Sequence, residues 1–368
     1  MAAPRETLPE LLHRFDLDIL PEHPFPTDGW SGATFSIIER DNQRFVLKRT
    51  SPARDWIVRA TGDTSIREAW IADRLLARTS WFGGGPVKAP YLGTATDGDE
   101  TVLLMPDLSM ELIAWDRPEH DPVIDRETLR RVIDAIGRLH ATPWAAIADE
   151  QAAKDGETAP WCPLPERLLL LSRPAAERYA ADGSPVGERF LAGWDAFDRR
   201  APAAACELVD RLAGDVAPLV DALEALPMLG LHGDLKLANV ALMQRDEVGL
   251  IDWQMTLRGA AAIELGWFLV SNSAALPLPP DQVVDGYLES LRWFSARWGA
   301  EGHPHSYDGL IGDADAQRDL TWIVGLVLRG WRKGLDAEAG VALPNGMSAA
   351  EDLAWWCERA LAAAERRL

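Results

Sequence analysis

Residues 231–253, LHGDLKLANVALMQRDEVGLIDW, constrain this chain more than any other stretch. Two short apolar segments, Val240 to Met243 and Val248 to Ile251, flank the polar turn Gln244-Arg245-Asp246-Glu247, the signature of a β-hairpin. In the simplest register, with Met243 opposite Val248, the ends of that hairpin bring Asn239 and Asp252 face to face. An amide oxygen and a carboxylate placed so would share one hard cation, as magnesium bound together with phosphates requires. Asp234 precedes Asn239 by five residues on the incoming loop. A carboxylate there can take the proton of a hydroxyl while the metal holds the phosphates of a nucleotide.

The residues His232-Gly233-Asp234 with Asn239, then Ile251-Asp252-Trp253, resemble the aminoglycoside phosphotransferase and choline kinase-like family of the protein-kinase-like fold. The order base, asparagine, metal-binding aspartate, at intervals of five and thirteen residues, is also that of the protein-kinase catalytic loop and metal motif. The resemblance implies an α+β fold of two lobes: a small antiparallel-sheet lobe over 1–108 that binds nucleotide and ends at a hinge, and a larger, mostly helical lobe over 109–368. Lys236 departs from the small-molecule kinase pattern and stands where protein kinases commonly carry a lysine. In that role it acts as a point charge on the migrating phosphate.

The first lobe is expected to open with a hairpin, Ala33 to Glu39 and Arg44 to Lys48 around Arg40-Asp41-Asn42. Before it, the loop from Thr27 to Thr34 holds Gly29 and Gly32, and resembles the family's phosphate-covering loop, with the amide of Ser31 or Gly32 as donor. Lys48 ends the apolar run Phe45-Val46-Leu47 as the family's phosphate-holding lysine does. Its implied partner is Glu68 on the next helix, although Ser65 and Glu68 also spell a capping box, which would occupy the glutamate elsewhere. A second hairpin, Ala89 to Gly93 and Thr101 to Leu108, ends at the implied adenine hinge. Pro106 has no amide to give. If Met105 guards the pocket, Pro106 offers its carbonyl and Leu108 its amide; if Leu104 guards it, Met105 and Asp107 do so.

Asp125 to Ala141 carries Leu129, Val132, Ile133, Ile136 and Leu139 at helical spacing, with Asp125 as cap and Pro143 as stop. His140 at its end reads as a packed core histidine rather than a catalyst. Residues 145–227 read as helical, interrupted at Asp182-Gly183-Ser184-Pro185. Glu264 stands where the family more usually has an aspartate that braces the catalytic loop. The basic-aromatic run Leu328-Arg329-Gly330-Trp331-Arg332-Lys333 reads as a charge cluster near a helix C-terminus.

Composition excludes several other classes. The net charge of -20 speaks against a nucleic-acid backbone as partner. No run reaches the roughly eighteen apolar residues of a membrane span, and the N-terminal stretch lacks the apolar segment of a secretory signal, so a cytoplasmic protein is expected. Cys162, Cys206 and Cys357 lack paired spacing and read as inert core thiols without disulfide or zinc. Several of the sixteen tryptophans fall in helical apolar patterns, so most are expected in the core and a minority along a pocket.

The resemblance thus implies a magnesium-dependent kinase that moves the γ-phosphate of ATP or GTP to a hydroxyl of a small molecule. Antibiotics and other natural products lead as acceptors, ahead of choline- or sugar-like metabolites. A protein kinase is disfavoured because the eleven residues between Asp252 and Glu264 leave no room for a conventional activation segment. A nucleotide-binding pseudokinase is disfavoured because base, lysine and metal ligands are all present.

Overall fold

A computed structural model describes residues 6–25, 30–75, 87–113, 123–300 and 307–368. The chain forms two compact units: Met1–Ile113 with Thr142–Cys162 and Asn239–Thr256, and Ala114–Ala141 with Pro163–Ala238 and Leu257–Leu368. The expected cut at residue 108 therefore does not coincide with the compact units. The hairpin after Asn239 adds its strands to the first unit, because Val87–Lys88 pairs in parallel with its second strand.

The first unit is built on a five-stranded antiparallel sheet in the order Glu22–Pro24, Thr34–Arg40, Gln43–Thr50, Glu100–Pro106, Gly93–Asp97. Asp41 and Asn42 make the first tight turn with φ of 49° and 64°, a conformation in which Asn and Asp are among the better-tolerated side chains. Alternation then sorts the faces. Ile38, Phe45, Leu47, Val102 and Leu104 join Leu8, Leu11 and Leu17 in one apolar cluster. Lys48, one residue on from Leu47, belongs to the opposite face, paired across the ladder with Leu103. The helix Arg67–Leu75 lies against the strands Gly93–Asp97 and Glu100–Pro106 and buries Trp70 and Ile71.

Among its described residues the second unit is helical apart from the antiparallel ribbon of Leu229–Leu231 with Leu257–Gly259 and an isolated bridge between Ala342 and Ser348. The scaffold helix spans Arg126–Ala141, and the Asp125 carboxylate accepts the Thr128 amide at 2.6 Å, as a cap should. Ala261–Asn272 is apolar almost all round and correspondingly buried. Its close neighbour, Ala314–Glu338, can approach only because Gly266 has no side chain: a Cβ there would lie 2.7 Å from the Thr321 carbonyl oxygen. Helices Arg173–Ala181 and Pro185–Arg200 are separated where Asp182-Gly183-Ser184 predicts a break.

Trp144, Trp194, Trp253, Trp322 and Trp356 are fully buried, whereas Trp30 and Trp293 are exposed. Cys162 and Cys357 are buried; Cys206 is only half-buried, so it is not a core thiol as expected. Among the described residues, no helix is long and apolar enough to cross a membrane.

Candidate functional site

The first unit gathers three polar residues, Glu68, Asp252 and Tyr91, around Lys48. Its Nζ lies 2.6 Å from Glu68 Oε2 and 2.7 Å from Asp252 Oδ1. Tyr91 closes the group, its hydroxyl donating to Glu68 Oε1 and accepting the Asp252 backbone N–H at 3.1 Å. Burial pulls the Lys48 pKa down, but the charges of Asp252 and Glu68 outweigh it and the ammonium is held above its ordinary range. For Glu68, burial is the larger effect and raises its pKa despite Lys48, because a second carboxylate, Asp252, shares the same ammonium. Burial likewise pushes the Tyr91 hydroxyl well up, so it stays protonated and can donate.

Glu68 is thus a partner of Lys48 and not the acid of a capping box. The helix takes its first carbonyl from Ile66, whose oxygen accepts from Ala69 and Trp70, which places Glu68 at the second helical position instead of the third. The Asp63 carboxylate meets the Arg67 amide at 2.7 Å and does the capping. Tyr91 had no signal in the sequence, where it reads as one more apolar strand residue. Tyr91→Phe is expected to destabilise the protein by about 1–3 kcal/mol, the cost of leaving buried polar partners unmet. Equilibrium urea unfolding measures this, and an unchanged midpoint would remove Tyr91 from the cluster's support.

The metal-motif hairpin forms, but one residue out of the simplest register. Leu242 pairs with Val248 and Val240 with Leu250. The cause is a bulge: Met243 donates to the Glu247 carbonyl at 2.9 Å while Glu247 donates back to the Gln244 carbonyl at 3.2 Å, so two residues oppose one. Left-handed backbone at Arg245 and Asp246 completes the turn. Asn239 consequently faces Ile251, whose amide it accepts at 3.1 Å, and not Asp252. Asp252 itself leaves the strand in the left-handed region, φ 67° and ψ 57°, and this turn out of the ladder accompanies its contact with Lys48. Asn239 is buried and Asp252 about one-third exposed. An amide oxygen and a carboxylate from adjacent ladder positions suit a hard cation that draws its remaining ligands from phosphates and water. Among the described residues, no group of three or more His, Cys, Asp or Glu offers a protein-only metal cage.

The glycine loop is held by its own chain. Trp56 donates its amide to the Ser31 carbonyl at 3.0 Å and its indole N–H to the Trp30 carbonyl at 2.7 Å. Gly32 has φ 96°, and a Cβ there would come within 2.4 Å of the Arg54 carbonyl oxygen, so the need for glycine is already met by the polypeptide. Gly29 lies outside the described residues. At the expected hinge, the Asp107 amide donates to the Arg44 carbonyl at 2.9 Å, continuing the ladder beyond Pro106. That occupies the donor required if Leu104 were the guard. The arrangement with Met105 as guard, Pro106 as acceptor and Leu108 as donor is the one left open.

In the second unit Glu264 organises the catalytic-loop motif. Its carboxylate accepts the His232 amide at 2.7 Å and the Gly233 amide at 2.9 Å, and His140 Nε2 lies 3.5 Å away. Burial would raise the Glu264 pKa, yet His140 and His232 more than offset it and hold the carboxyl below its ordinary value. His140, fully buried, also meets the Tyr287 hydroxyl at 2.8 Å, the setting of a core histidine. Gly233 turns with φ 85°, and Arg167 Nε donates to its carbonyl at 3.0 Å. The Leu237 amide donates to Asn272 Oδ1 at 3.2 Å. Within this braced loop Asp234 Oδ2 lies 3.0 Å from Lys236 Nζ. Arg167 and Asn272 had no sequence signal, because they support the loop from distant helices.

The family model described as phosphotransferase enzyme family matches residues 23–299. An aminoglycoside phosphotransferase from Alicyclobacillus acidocaldarius is similar at 13% identity and a TM-score of 0.45, over 96% of this chain and 94% of that one. Choline kinase LicA from Streptococcus pneumoniae shares 11% identity over 97% of this chain and 98% of that one, with a TM-score of 0.44. A spectinomycin phosphotransferase, solved with ADP and spectinomycin, gives 11% identity and a TM-score of 0.41 over 98% of this chain and all 100% of its own. No curated protein matches the sequence. Because the family match runs over most of the chain, from 23 to 299, this protein belongs to the phosphotransferase enzyme family and is a small-molecule kinase.

Proposed function

We propose that the protein transfers the γ-phosphoryl group of ATP or GTP to a hydroxyl of a small molecule, with magnesium. The observation that carries this reading is the buried Lys48 held between Glu68 and Asp252. A lysine fixed at that depth is charged and pre-oriented for phosphate oxygens, and the carboxylate beside it is half of a metal site. Asn239 and Asp252 would hold magnesium, which would supply positive charge to offset that of the phosphates. Asp234 orients the acceptor hydroxyl and takes its proton. Lys236, whose Nζ lies 3.0 Å from Asp234 Oδ2, offsets charge on the moving phosphate. The amides of Ser31 and Gly32 cover the phosphates, and Met105, Pro106 and Leu108 form the adenine hinge.

In functional terms residues 1–108 serve the nucleotide and residues 109–368 carry the catalytic loop and the acceptor site, a division of labour distinct from the packing units. The acceptor class we assign is a natural product, antibiotics included, ahead of choline- or sugar-like metabolites. Support comes from the family match.

The test is Asp252→Ala, titrated with ATP in the presence and absence of magnesium. Loss of a charged metal ligand should abolish most of the gain in affinity that magnesium confers, and turnover with it. A variant whose magnesium-dependent gain equals that of the wild type would overturn the assignment of the metal site. An ADP-release screen against hydroxyl-bearing compounds, followed by mass measurement of the product, identifies the acceptor.

A further inference from the structure

The basic-aromatic run at 328–333 does not end a helix; it lies inside Ala314–Glu338. Two of its cations are accounted for. Lys333 is buried against Asp352, with its ammonium 5.4 Å from the centre of the Trp356 ring. Arg332 meets Asp336 one turn further on, at 3.0 Å. Arg329 differs from both. It is half-buried, and among the described residues it forms no hydrogen bond and no ion pair. Its guanidinium rests on the Trp267 indole, 5.4 Å from the ring centre. Arg167 lies over the same ring at 4.8 Å and has its Nε committed to the Gly233 carbonyl, next to Asp234.

Burial first, and then the charges of Arg332 and Arg189, together lower the Arg329 pKa to about 10, against Asp234 and Asp336 which favour the cation. At neutral pH this group is therefore charged at a cost to the fold. A guanidinium kept in that state, its planar fork unspent and its face supported by an indole, is ready for a carboxylate or phosphate that binds it bidentately. The same concentration of positive charge opposes a polycation.

We propose that Arg329, flanked by Arg332 and Arg189, receives an anionic group of the acceptor whose hydroxyl is presented to Asp234. The substrate class is then a hydroxylated carboxylate or phosphate ester, and polycationic aminoglycosides are disfavoured. This rests on the assignment of Asp234 to the acceptor side of the reaction.

The experiment is thermal unfolding of the full chain saturated with magnesium and ADP, titrated separately with malonate, inorganic phosphate and choline. Malonate, phosphate or both should raise the melting temperature of the wild type, and choline should not. Arg329→Gln should weaken that response at least tenfold in concentration, and Arg332→Gln should weaken it less. Without added anion, Arg329→Gln should melt no lower than the wild type, because it removes a repelled charge. Equal responses of wild type and Arg329→Gln, or no response to either anion, would overturn the proposal. So would a phosphate response that survives Arg329→Gln, since it would place the anion at the vacated γ-phosphate position. If Arg329→Gln does not fold, an undiminished response in Arg332→Gln overturns it instead. Failure of the kinase reading is separately visible, as the absence of stabilisation by magnesium and ADP in the wild type itself.

Discussion

Asp234→Asn is expected to lower phosphoryl transfer by roughly a hundredfold or more, the usual yield of a positioned general base. Affinity for nucleotide with magnesium should stay close to that of the wild type. The substitution keeps the shape of the side chain and removes only its charge, and the loop around it is braced by groups that do not involve that carboxylate. Glu264 holds the amides of His232 and Gly233, Arg167 the carbonyl of Gly233, and Asn272 the amide of Leu237. Single-turnover measurement of product with calorimetric nucleotide titration separates the two effects. Full turnover in a folded variant would exclude Asp234 as the base. A loss of nucleotide affinity equal to the loss of rate would place it with the phosphates and not with the acceptor.

What was legible in the sequence is what depends on residue type at local spacing. The alternating strands on either side of Asp41-Asn42, the helix from Arg126 to Ala141 and the turn at Asp182-Gly183 all follow from side-chain periodicity and turn chemistry. So does the position of Lys48 at the end of its apolar run. Local spacing failed where geometry depended on a single extra residue. The bulge at Met243 and Gln244 shifts the hairpin by one place, and with period-two alternation that is enough to exchange Asp252 for Ile251 opposite Asn239. It failed again at Ser65 and Glu68, whose spacing fits a capping box although the helix begins at Arg67.

Tertiary partners were illegible for a different reason. Tyr91 joins Glu68 and Asp252 through a hydroxyl carried on the irregular segment between the strands Val87–Lys88 and Gly93–Asp97, where the sequence predicts an apolar strand from Ala89, and nothing in its neighbours' types announces the contact. Arg329 sits in a run whose other cations are spent on Asp336 and Asp352, and only the fold distinguishes the unspent one. The buried tryptophans show the converse. Trp144 packs edge-on against the half-buried Trp161 and the buried Trp253, pairs that the general expectation of core tryptophans does not name.

Lys48→Met should be the most damaging single substitution to both stability and turnover. Lys48 and Glu68 are almost entirely buried, at 5% and 2% side-chain exposure, so removing the ammonium leaves Glu68 without compensation. Breaking one member of a buried pair typically costs about 3–5 kcal/mol. Asp252, at 31% exposure, can recover part of its hydration and contributes less to that cost. The pH dependence has a definite sign. Glu68 already titrates above its ordinary 4.5 because of burial, and loss of Lys48 moves it further up. A carboxyl raised in the folded state contributes stability that is present below 4.5 and lost as pH rises through the folded value. The deficit of Lys48→Met relative to wild type should accordingly shrink as the solution is acidified toward that range. Adding Glu68→Gln to Lys48→Met removes the uncompensated charge, so the double variant should regain much of the lost stability while remaining unable to turn over. Urea unfolding at neutral and mildly acidic pH, with ADP release from the same preparations, measures all of this. A double variant no more stable than Lys48→Met would show that the ammonium supports the fold through packing and not through Glu68. Restored turnover would remove Lys48 from the nucleotide site altogether.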